Sequence, residues 1–206
     1  MFCEFKRQQH VIRNNCCRFI GNMMLYFGPA AFQKYVETLE VVKPLVRVIE
    51  IILALIFIFH IYNGVRLWWQ NKKADPAKYA VNASRENSDV FSRSMAITGS
   101  VIFLFLAFHL STFWATFNFG THTETEYPFY TIVSDWFRVP YYSIIYIVSM
   151  GFLGFHLNHA FQSAFQTFGL NHKKYTLLIK KIGTVYAVIM ALGFASIPFY
   201  FLMGGK

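Results

Sequence analysis

"VRVIEIILALIFIFHIYNGVRLWW", residues 46–69, decides the fold. Helices rise 1.5 Å per residue, so about 20 apolar residues cross the roughly 30 Å of bilayer hydrocarbon, and this run is long enough. Three more runs qualify: "SMAITGSVIFLFLAFHLSTFWATFN" (94–118), "YYSIIYIVSMGFLGFHLNHAFQSAF" (141–165) and "IGTVYAVIMALGFASIPFYFLM" (182–203). Composition agrees, since 55% of the 206 residues are hydrophobic and only 14% are charged, against about 25% in soluble domains. The chain reads as an all-α integral membrane bundle of four transmembrane helices. A fifth stretch, "FIGNMMLYFGPAAF" (19–32), is apolar but short, and Gly28 and Pro29 break it.

Loop charges orient the bundle, because short loops rich in Lys and Arg stay cytoplasmic. The connection from the first to the second span carries Arg66, Lys72, Lys73, Lys78, Arg85 and Arg93, and that from the third to the fourth carries Lys173, Lys174, Lys180 and Lys181. The middle connection holds Glu124, Glu126, Asp135 and a single Arg138. Both basic loops are therefore expected on the cytoplasmic side. The net charge of +9 is explained by topology and anionic lipid, with no nucleic-acid partner required. Trp68, Trp69, Trp114 and Trp136 lie near helix ends, where aromatic side chains anchor the interface.

Residues 1–45 form an atypical segment, and residues 46–206 the transmembrane bundle. Four crossings would put the N-terminus outside, yet "MFCEFKRQQHVIRNNCCRF" carries Lys6, Arg7, Arg13 and Arg18 against Glu4, a cytoplasmic signature. An additional preceding helix, with residues 19–32 as its outer remnant, would remove the conflict. The segment lacks the apolar core and cleavage site of a signal peptide. Its cysteines, Cys3, Cys16 and Cys17, have neither haem-attachment nor zinc spacing.

Helix depth sorts the histidines. His60 lies about nine residues, roughly 14 Å, from the cytoplasmic end of its span, and His156 lies about as far from the same end of the third span. The two imidazoles can meet at one level. His109, on a span running the other way, lies roughly 22 Å from that edge with no partner at its own depth. Ionisable groups inside a membrane are costly and point to function. Two neutral imidazoles on different helices suit the axial positions of haem b, an apolar macrocycle at home in a bundle core. Gly64 and Ala160 each stand one turn beyond a histidine on the same face, which leaves room for a flat ring edge. The competing reading is a histidine used for interhelical hydrogen bonding. His159, one turn closer to the cytoplasm than His156, suits a haem propionate or backbone partner better than a metal. His10, His122 and His172 carry no assigned chemistry.

The stretches "GFHLNHAFQSAFQTFGLNHKKYTLLIKKIG" (154–183), "RVIEIILALIFIFHIYNGVRL" (47–67) and "SRSMAITGSVIFLFLAFHLSTFW" (92–114) resemble the cytochrome b membrane-anchor subunit of succinate dehydrogenase or fumarate reductase, complex II. The nearest type is the single-polypeptide form with five helices and two haems, and the resemblance runs over residues 20–205. It implies His60 and His156 as proximal haem ligands and His109 as one distal ligand. The usual partner of that distal histidine sits on the family's first helix in a pattern like H-L-x-G-N. Here "RFIGN" puts Arg18 at that position, so one haem is expected where the complete family form has two.

The resemblance further implies a bacterial inner-membrane subunit that passes electrons between a separate iron-sulfur subunit, docked with a flavoprotein subunit on the cytoplasmic face, and menaquinone. The chain has no G-x-G-x-x-G fingerprint or cysteine cluster for the succinate step itself. Glu50, about one turn inside the outer end of the first span, is the candidate quinone-site acid, and the alternative is an interfacial pair with Arg47. Arg66, Arg93 and Lys173 are placed to neutralise haem propionates or to dock the iron-sulfur subunit, or simply to snorkel. The rival classes are a b-type anchor of a hydrogenase or formate dehydrogenase, and a haem-free scaffold or transporter.

Overall fold

The computed structural model describes residues 19, 21–74, 94–120, 126–167 and 175–205, and among these there is no strand. A 3-10 turn, Met24–Phe27, ends at Gly28, whose φ of 89° reverses the chain. Pro29 then opens α1, Pro29–Val41, at the position where a missing N–H costs nothing. Helix α2 is Lys43–Ala74, and α3 is Met95–His109. A single π turn, Leu110–Trp114, joins α3 to the short α4, Ala115–Phe119. Then follow α5, Pro128–Arg138, α6, Pro140–Thr167, and α7, Thr176–Leu202. Four helical stretches are long and apolar enough to cross a membrane: Lys43–Lys73, Met95–Phe119, Pro140–Phe165 and Thr176–Leu202. The chain is thus an all-α, multi-pass membrane bundle, and all four apolar runs lie within or nearly within these helices.

Packing is led by the seam between α6 and α7. A Cβ built on Gly154 would stand 2.9 Å from the Ala191 Cβ, and one on Gly183 would meet the Phe161 ring at 2.5 Å. Small residues let the two helices close in, which is how helices associate where hydrophobic burial gives no drive. A polar clamp fixes their rotation. Asn158 is buried; its Oδ1 accepts from Gln162 Nε2 at 2.9 Å and, across the seam at 3.0 Å, shares the one hydrogen of Thr184 Oγ1 with the Lys180 carbonyl, also at 3.0 Å. Helix α3 packs on the other side of α6, and α2 makes only slight contact with α1 and α3. No residue in the most apolar window of α2 is buried within the chain.

The dense core lies at one end of the bundle. Phe113, Tyr142, Tyr146, Ile197 and Phe201 meet there with Leu25 and Phe32 from before and within α1, and with Tyr130, Val133 and Phe137 from α5. Helix α5 is amphipathic: Tyr130, Val133, Ser134 and Phe137 recur at helical spacing on its buried face, while Asp135 and Trp136 are exposed. It closes that end of the bundle. The 19–32 segment belongs to the same core. The Phe19 ring packs edge-on against Phe194, and Tyr26 donates to Ser196 Oγ at 2.6 Å. The sequence places residues 29–41 in a first-helix remnant and outer loop and residues 128–138 in a connection; both are helices, and their buried residues Phe32, Tyr130, Val133 and Phe137 join the core at that end.

The uneven packing sets a contrast in stability. Phe201→Ala, at 1% exposure, should cost about 3–5 kcal/mol through the cavity it leaves, whereas Leu55→Ala on the lipid-facing α2 should stay within about 0.5 kcal/mol. The Tyr130 hydroxyl is buried without a partner among the described residues, so Tyr130→Phe should be neutral or stabilising. Denaturation midpoints in mixed micelles measure all three.

Candidate functional site

Away from the aromatic end, α2 brings His60 and α6 brings His156 to the same level. Their ring centres are 6.1 Å apart and the ring planes lie at 85°. A metal-to-imidazole bond is about 2 Å, and roughly 1 Å more reaches each ring centre, so two imidazoles sharing one metal have centres roughly 6 Å apart. The pair has that spacing. Its placement follows from the seam: Asn158 and His156 are two residues, about 200°, apart around α6, so clamping Asn158 onto α7 turns His156 toward α2 and α3. Helix α2 makes only slight contact with its neighbours, and His60 is exposed while His156 is half-buried. Gly64, one turn beyond His60, is exposed too, and a Cβ built there would touch nothing within 4 Å. Gly154 has a different use, since its missing side chain serves the contact with Ala191.

Helix α3 supplies the wall behind His156. A Cβ on Gly99 would lie 3.5 Å from the His156 Cε1, so bare backbone faces that ring edge. Thr98, buried, holds its Oγ1 3.2 Å from His156 Nδ1. Ala160 and His159 are half-buried on α6, and Arg66 is exposed on α2. Beyond Arg66, Lys72 and Lys73 lie over the rings of Trp68 and Trp69 at 5.2 and 5.7 Å, cation–π pairs suited to an interface. Arg93, Lys173, Arg18, His10, His122 and His172 fall outside the described residues.

His109 stands in different surroundings. Its ring lies 5.3 Å from Phe113 and 5.9 Å from both Phe105 and Tyr146, and its Nδ1 is 3.0 Å from the Tyr146 hydroxyl. Tyr142 in turn donates to Tyr146 at 3.0 Å. Among the described residues, aromatic rings surround it where the resemblance would put a second imidazole. His60 and His156 have the spacing of two imidazoles that could share one metal, whereas His109 is bonded to Tyr146 among aromatic rings. No three His, Cys, Asp or Glu side chains converge among the described residues, so the candidate centre is a two-ligand one.

At the opposite end of α2, Arg47 Nη1 donates to Glu50 Oε2 at 2.8 Å, and its Nη2 donates to Asn118 Oδ1. These groups line an open pocket of about 170 Å³ together with Lys43, Glu40 and Phe117. The i,i+3 pair was readable from the sequence. Asn118, 71 residues away, was not: only the packing of α4 against α2 brings it in.

The chain matches no protein-family model, no curated protein and no solved structure.

If His109 is held as a hydrogen-bonded core residue, Tyr146→Phe should remove about 1 kcal/mol of stability, and His109→Ala at least as much. Denaturation of the two purified variants gives both numbers.

Proposed function

We propose that the chain is the membrane-anchor cytochrome b subunit of a succinate dehydrogenase or fumarate reductase in the bacterial inner membrane. In this reading it passes electrons between an iron-sulfur subunit and menaquinone. The observation that carries it is the pair of imidazoles on separate membrane helices, 6.1 Å between ring centres. The resemblance of the runs around His60, His109 and His156 supports the choice of partners. Haem b, when bound, would supply one-electron redox chemistry.

The chain's own residues divide the remaining work. His60 and His156 present neutral nitrogens, and Gly64 and Gly99 keep the walls flat. The end of α2 bearing Trp68, Trp69, Lys72 and Lys73 faces the cytoplasm, where the flavoprotein and iron-sulfur subunits dock. Arg66 lies at that end for a propionate or an acidic docking surface. At the other end the pocket beside Glu50 takes the quinone head, with Asn118 and Arg47 as polar contacts. Reducing a quinone to its quinol takes two electrons and two protons. Glu50 would relay the two protons in turn from the aqueous phase through Oε1, while Arg47 Nη1 holds Oε2 at 2.8 Å.

A pyridine-haemochrome assay on the purified chain should find about one haem b per chain, lost in His60→Ala and in His156→Ala and kept in His109→Ala. An absence of haem overturns the reading. In the assembled complex, haem reduction by succinate, and not by hydrogen or formate, identifies the partner class. Glu50→Gln should lower quinone turnover at least about a hundredfold, and full activity would remove Glu50 from the mechanism.

A further inference from the structure

A third helix contributes a polar atom to the His60–His156 level. Thr98 is buried on α3, and its Oγ1 makes two contacts of 3.2 Å: it donates to the Met95 carbonyl, and it meets His156 Nδ1. A hydroxyl has one hydrogen and two lone pairs. With the hydrogen directed at Met95, the oxygen is left to accept from the ring, an arrangement that puts the proton on Nδ1. A neutral imidazole has one N–H, which leaves the free lone pair on Nε2. Sterics agree with the proton count. The Thr98 oxygen stands 3.2 Å from Nδ1 and Gly99 lies against the adjoining Cε1 edge, so that side of the ring is already occupied by α3.

We propose that Thr98 is the positioning residue that locks His156 in its Nδ1–H tautomer and dedicates Nε2 to metal ligation. Ligand histidines typically donate their second nitrogen to an acceptor that fixes the ring and raises its basicity, and Thr98 is that acceptor here. The identity of the metal group rests on the haem reading above; the tautomer does not. In the haem-loaded chain the hydrogen bond strengthens the imidazole as a donor, which favours the oxidised iron and lowers the midpoint potential.

Two variants separate the hydroxyl from the shape. Thr98→Val keeps the volume and loses the oxygen, and Thr98→Ser keeps the oxygen. Nitrogen-15 histidine spectra of the haem-free full chain in nanodiscs, with His156 assigned through His156→Gln, should show Nδ1–H in the wild type and in Thr98→Ser. Thr98→Val should show a mixture. In haem titrations Thr98→Val should bind about ten- to a hundredfold more weakly and have a raised potential, both restored by serine. An Nε2–H signal in the wild type overturns the proposal. So does an unchanged tautomer in Thr98→Val. A wild type that takes up no haem yet shows the Nδ1–H signal defeats the haem reading and leaves the role of Thr98 standing.

Discussion

The hydrogen bond from Thr184 to Asn158 governs more of this molecule than its length suggests. In hydrocarbon a buried amide without partners is expensive, so the rotation of α6 that satisfies Asn158 is strongly preferred over its neighbours. Small residues at Gly154 and Gly183 let α7 come close enough for that bond to form. Once α6 is fixed, the direction of His156 is fixed as well, together with the face on which α3 packs. The site geometry is therefore a consequence of a contact on the far side of the helix.

Packing density divides the bundle into two regimes. At the α5 end, aromatics such as Tyr142, Phe137 and Phe201 interlock, and His109 lies against Phe113 and Tyr146 from that cluster. At the His60 level α2 is held loosely: Gly64 faces open space, while on the other side Gly99 lies against His156. One histidine is thus fixed by tight packing on α6 and its partner rides on a helix with little packing of its own.

The spans were legible because apolar runs of this length have few alternatives in water or lipid. The shared level of His60 and His156 was legible too, since depth along a straight helix is only residue count times rise. Depth says nothing of which face points inward, and so the open space at Gly64 and the role of Gly154 needed the assembled bundle. Helix α5 was hidden by its charged surroundings, although Tyr130, Val133 and Phe137 carried a helical period in an otherwise polar connection. Thr98 and Asn118 were hidden for another reason. Both are ordinary small polar residues, and their meaning comes entirely from partners 58 and 71 positions away.

The π turn after His109 has a phase consequence. Widening one helical turn accommodates an extra residue, so everything beyond it is rotated by about 100° relative to an uninterrupted α-helix. The rod running from Met95 to Phe119 thus has two separately dialled halves. Thr98 and His109 address α6, while Asn118 is swung round to reach Arg47 on α2. Without the bulge Asn118 would stand about 180° from His109 around the helix; with the extra residue the angle falls to about 80°, which sets the face that Asn118 presents to Arg47.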